Sequence, residues 1–91
     1  MTHADHHLFT EAVVVAEQLG YRVVVDWLDG CGGSVCRASG RQWILLDRGL
    51  TLLERLRQLL AILRADNRIA AVTLSSELSA AFGHSSRAKA A

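Results

Sequence analysis

Between Leu52 and Ala65 the chain carries six leucines at helical spacing, and this stripe constrains the fold more than any other feature. With Leu52 at 0° and a step of about 100° per residue, Leu52, Leu53, Leu56, Leu59, Leu60 and Leu63 fall inside an arc of roughly 120°. Glu54, Arg55, Arg57, Gln58, Ala61 and Arg64 occupy the rest of the circumference, and Ile62 is the one apolar exception. Thr51-Leu52-Leu53-Glu54 matches the S/T-x-x-E capping box, in which each end residue accepts a backbone N–H from the other. The spacing therefore predicts a helix from Leu52 to about Ala65. Each fully buried leucine contributes roughly 1.5–3 kcal/mol, so the rest of the chain must supply a surface that covers the stripe.

Three other segments can supply it. Residues 6–19 read as a second amphipathic helix, with Leu8, Phe9, Ala12, Val15, Ala16 and Leu19 on one side. Asp5 is its expected N-cap and Gly20 its expected left-handed stop. Tyr21–Leu28 is rich in β-branched and aromatic residues and reads as a strand, with Tyr21, Val23, Val25 and Trp27 on the face expected to be buried. Ser34–Ala38 and Arg41–Asp47 read as a hairpin joined at Ser39-Gly40. Trp43-Ile44-Leu45-Leu46 is apolar on both faces, which suits a central strand. After Asp66-Asn67, Ile69–Leu74 is expected to be extended. Ser75 or Ser76 is expected to cap a last helix that runs to Phe82. The expected fold is therefore α+β: a helix, a three-stranded mostly antiparallel sheet, the leucine-rich helix and a short final helix. One domain over 6–83 is expected, between flexible ends at 1–5 and 84–91.

Composition excludes several classes. The 91 residues are 51% hydrophobic with a net charge of +1, whereas a disordered chain needs low hydrophobicity and high net charge. A chain this short holds one modest core rather than a two-lobed cleft. The charge is unevenly placed: residues 1–36 hold one Arg against five acidic residues, and residues 37–68 hold seven Arg against three. No basic segment followed by an apolar run opens the chain, so a cytoplasmic protein without a signal peptide is expected. Its longest apolar runs, such as Leu59–Leu63, fall far short of the roughly 18 residues of a membrane span.

The candidates for chemistry are few. Cys31 and Cys36 are spaced C-x₄-C across a glycine-rich loop, and with His6 and His7 they form the only metal-ligand set of interest. A structural zinc site asks for a second pair, which would have to come from the histidines near the chain ends, His3, His6, His7 and His84. Cys36 reads instead as a small buried strand residue. Gly30-Cys31-Gly32-Gly33 leads into a strand rather than a helix, so it does not make a phosphate loop. Arg55, Arg57, Arg64 and Arg68 are the candidates for a basic patch facing nucleic acid.

The run Gly32-Gly33-x-x-Cys36-Arg37-x-x-Gly40, followed by Leu45-Leu46-Asp47-x-x-Leu50 and Glu54, resembles a group of small bacterial proteins of uncharacterised function. There, a Gly-Gly-x-x-Cys hairpin precedes a strand ending in Asp and an amphipathic helix. The helix–hairpin–helix order is also similar to the first half of compact zincin-like metallopeptidases. In that family the helix after the hairpin carries H-E-x-x-H. Here the corresponding helix has no His, so the resemblance implies no peptidase activity, because zinc needs those imidazoles.

No residue set defines a reaction and no cofactor is called for. Val13, Val14 and Ile62 are apolar yet lie off the expected buried stripes, which makes them interface candidates. With a mean hydropathy of +0.21 for so small a chain, the sequence points to a non-enzymatic interaction or accessory module acting as a homodimer. Self-association or a protein partner is expected, and a membrane is not. A thiol or metal-binding protein and a weak nucleic-acid binder are the alternatives.

Overall fold

The structure is a computed structural model that describes residues 3–29 and 33–82. Its elements are α1 (His3–Gln18), β1 (Tyr21–Asp26), β2 (Ser34–Ala38), β3 (Arg41–Asp47), α2 (Leu52–Arg64), a 3₁₀ turn at Asn67–Ala71 and α3 over residues 76–82. The α+β class is as the sequence predicts. No helix among the described residues is long and apolar enough to cross a membrane.

Each helix forms for local reasons. At the start of α2, Glu54 N–H donates to Thr51 Oγ1 at 3.1 Å and Thr51 N–H donates to Glu54 Oε1 at 2.9 Å, which completes the capping box. The Thr51 N–H, and then the Thr51 hydroxyl, hold the Glu54 carboxyl below its ordinary pKa. Helix α1 begins at His3, so Asp5 lies in its first turn and is not its N-cap. Negative charge there still complements the helix dipole. Gly20, at φ +95°, ends the helix in the left-handed region as expected. Ser75 caps α3, its Oγ accepting from Leu78 N–H at 3.1 Å. Of the expected extended piece Ile69–Leu74, Ile69–Ala71 lie instead in the 3₁₀ turn, which starts where Asp66 accepts the N–H of Arg68, and Val72 beyond it is extended, at φ −94° and ψ 135°.

The sheet order is β1-β3-β2, which puts the doubly apolar β3 in the centre. It pairs antiparallel with β2 and parallel with β1. The expected mostly antiparallel sheet is thus a mixed one. The chain leaves β1, crosses to the far edge, and returns through the hairpin between them, so β3 runs in the direction of β1. Ser39 and Gly40 both have positive φ, as a two-residue hairpin loop requires. Gly33 has φ +82° and donates its N–H to Leu45 O at 2.6 Å, so Gly33 and Ser34 together oppose Leu45 in a glycine-type β-bulge. A Cβ at Gly33 would lie 2.7 Å from the end of the Gln58 side chain of α2, which would have to swing aside.

Both long helices pack on one face of the sheet. The core joins Ala12, Val15 and Ala16 of α1 and Leu19 just after it to Leu56, Leu59, Leu60 and Leu63 of α2, over Tyr21, Ile44 and Leu46 of the strands. Leu78 and Phe82 of α3 close the end of this layer. Leu53, at the margin of the leucine stripe, is 37% exposed. Of the β1 face expected to be buried, Tyr21 is buried, Val23 and Val25 are half-buried against the core, and Trp27 is 69% exposed. The strand ends at Asp26, whose carboxylate takes the Trp27 N–H at 2.8 Å, and the alternation ends with it.

Candidate interaction surface

The second face of the sheet has no described element on it. The strand register sets its side chains in two rows. Arg22, Trp43 and Cys36 form one row, and Val24, Leu45 and Ser34 the other. The Arg22 guanidinium lies over the Trp43 ring, 5.6 Å from its centroid. Such a contact adds roughly 0.5–1 kcal/mol at an exposed site. The Trp43 indole N–H donates to Ala38 O at 3.1 Å, which pins the ring across the hairpin. Val24, Trp43 and Leu45 are each half-buried, and Cys36 is exposed with a free thiol. The expectation of a buried Cys36 is therefore corrected: β2 is an edge strand, and Cys36 points away from the helices.

Strand β2 is exposed along all five of its residues. In a two-residue hairpin the residues flanking the loop form a hydrogen-bonded pair. Ala38, Cys36 and Ser34 thus turn their backbone groups toward β3, and Val35 and Arg37 turn theirs to the open edge. The edge of β1 differs, because the Arg48 guanidinium donates to Val25 O at 3.1 Å. Beneath β2 lies a groove of about 320 Å³ lined by Tyr21, Val35, Ile62, Ala65 and Asp66.

A polar cluster borders this groove. Tyr21 Oη donates to Asp66 Oδ2 at 2.7 Å, and the Arg68 guanidinium donates to both carboxylate oxygens at 3.0 and 2.7 Å. The Arg68 fork, and then the Tyr21 hydroxyl, hold the Asp66 carboxyl well below the usual carboxylate range. Burial, and then the bond to Asp66, push the Tyr21 phenol up from 10.0. Paired this way, Arg68 has its charge matched within the chain.

At the opposite end of the strands, Asp47 is 4% exposed and its Oδ1 accepts the N–H of Leu28 at 3.3 Å and of Gly49 at 2.9 Å. One carboxylate thereby ties down the chain leaving β1 and the chain leaving β3. This explains the strand-ending Asp of the sequence as an anchor of the fold. Its signal was the pattern Leu45-Leu46-Asp47-x-x-Leu50, whose partners in space the sequence did not show.

The remaining sequence candidates scatter. Val13 and Ile62 are half-buried against the core, whereas Val14 is 46% exposed on α1. Of the three, Ile62 alone reaches the groove beside β2. Arg57 and Arg64 share a side of α2, and Arg55 lies roughly 160° round from Arg57, its guanidinium 5.8 Å from the Phe9 ring centroid. His6 and His7 are exposed on α1, with His7 Nε2 3.9 Å from Glu11 Oε1. Cys31 lies outside the described residues. Among the described residues no three His, Cys, Asp or Glu side chains stand together as a metal site would require. Sequence reasoning missed Arg22, Arg48 and Tyr21 as members of these arrangements, because Arg22 and Arg48 meet their partners across the sheet and Tyr21 meets Asp66 beyond the end of α2. No family model, curated protein or solved structure matches the chain.

Proposed function

We propose that the protein is a non-enzymatic interaction module of the cytosol that works as a homodimer through the open side of its sheet. The observation that carries this reading is the one-sided cover of the three strands. Val24, Trp43 and Leu45 are left half-buried on the bare face, next to an edge strand whose outward backbone groups meet no described element. Apolar surface of this kind marks a protein interface more often than a reaction centre. The arginine placements lend less to nucleic-acid binding, since Arg68 is paired with Asp66 and Arg55 and Arg57 point to different sides. A free thiol at Cys36 suits a compartment where thiols stay reduced. Sedimentation equilibrium tests the proposal. A species of twice the 9.9 kDa chain mass is expected under reducing conditions, and a monomer at every concentration overturns it.

A further inference from the structure

We infer that the homodimer forms by antiparallel pairing of β2 with β2 of a second copy, about a two-fold axis that passes beside Cys36. The inference rests on the homodimer reading and deepens it by naming the contact. Val35 and Arg37 present the outward N–H and C=O groups of this edge, and they flank Cys36 symmetrically. A two-fold at Cys36 sets Val35 opposite the partner's Arg37 and Arg37 opposite the partner's Val35. Both pairs are then of the hydrogen-bonded kind, so every outward group of the strand's centre gains a partner.

Other registers do less. An axis at Arg37 opposes two guanidinium groups, and like charges directly opposite destabilise a sheet. An axis at Val35 pairs Val35 with itself but sets each Arg37 against Gly33, whose N–H is already spent on Leu45 O. The edge of β1 is a poorer template because Arg48 takes the carbonyl of Val25. A second copy at β2 also covers Val35, on the helix-facing side of the strand. Val35 is 41% exposed above the groove that holds Ile62. The aliphatic stem of the partner's Arg37, on the same face and directly across, lies over that side chain.

The paired sheets make one six-stranded sheet. Its bare face carries the Arg22–Trp43–Cys36 row into the same row of the partner without a break. Cys36 then faces the partner's Cys36 in a non-hydrogen-bonded pair, with Cα atoms about 4.5 Å apart. That separation is within reach of a disulfide, which turns the thiol into a reporter of register.

The test uses the full chain with Cys31→Ser, so that Cys36 is its one thiol. Diamide accepts the two protons and two electrons that leave as two thiols join. A disulfide-linked dimer is expected within the time of mixing. Moving the thiol to position 34, as Ser34→Cys with both native cysteines changed to Ser, separates the pair by about 13 Å along the strands. This variant should link at least about tenfold more slowly. Mixed with the matching Ala38→Cys variant, it should link to that chain quickly, because the two positions face each other. If sedimentation shows a dimer but the Cys36 thiols do not link faster than those at position 34, the edge pairing is overturned and the homodimer stands. A monomer throughout overturns both.

Discussion

On one face of the sheet Ile44 and Leu46 are fully buried beneath α1 and α2. On the other face Trp43 and Leu45, their immediate neighbours in the chain, are only half-covered by side chains of the same strands. The difference is one of supply. The leucine stripe of α2 and the apolar side of α1 suffice to cover a single face of three strands, and α3 closes the end of that layer. A chain of this size has no further amphipathic element among its described residues to place on the second face. The core and the candidate interaction surface are thus made by the same strand, on alternate residues.

The largest test of this contrast compares leucines from the two sides. Leu63→Ala, at a site with no exposure, should cost about 2–5 kcal/mol in urea unfolding. Leu45→Ala should cost about 1 kcal/mol or less. Equal losses would mean that the second face is covered as fully as the first.

A smaller effect is expected at the end of the strands. Asp47→Ala leaves the N–H groups of Leu28 and Gly49 without their carboxylate, a loss of about 1–3 kcal/mol. The loss should appear in the same urea titration and should leave the mass found by sedimentation unchanged. A change in dimerisation instead would move Asp47 from the fold to the interface.

The smallest belongs to the cluster beside the groove. Tyr21→Phe removes the bond to Asp66 and should cost about 0.5–1.5 kcal/mol near neutral pH. The sign of its pH dependence follows from the two shifts. Asp66 is held below its ordinary 3.8, so its contribution is complete above that pH and is lost as the pH falls beneath it. Tyr21 is raised above 10.0, so its contribution is complete below that pH and is lost as the pH climbs past it. In Tyr21→Phe the alkaline loss due to Tyr21 should vanish. The acid loss should persist through the pairing of Asp66 with Arg68. Urea midpoints across both limbs of the pH range measure this, and an unchanged alkaline limb would separate Tyr21 from it.

Much of the fold was legible in the residues. The capping box at Thr51 and Glu54 starts α2 where the pattern places it, and Gly20 and Ser39-Gly40 sit at the turns their backbone freedom suits. Local hydrogen bonds and φ preferences act within a few residues, so they survive in any fold. The candidate interaction surface was less legible. Ile62 was visible as a leftover apolar residue, but Cys36 and Trp27 were expected to be buried and are exposed. Their exposure depends on which strand lies at the edge and where β1 stops.

The sequence by itself determined the two amphipathic helices, the hairpin and the doubly apolar strand, because periodicity and capping chemistry are properties of neighbouring residues. Only the tertiary structure decided that β3 lies between β1 and β2, that both helices share one face, and that Asp47 joins the exits of two strands. Those outcomes turn on pairings between residues far apart in the chain. A period-two pattern shows that a strand has two faces, but which face a helix covers is settled only when the elements pack.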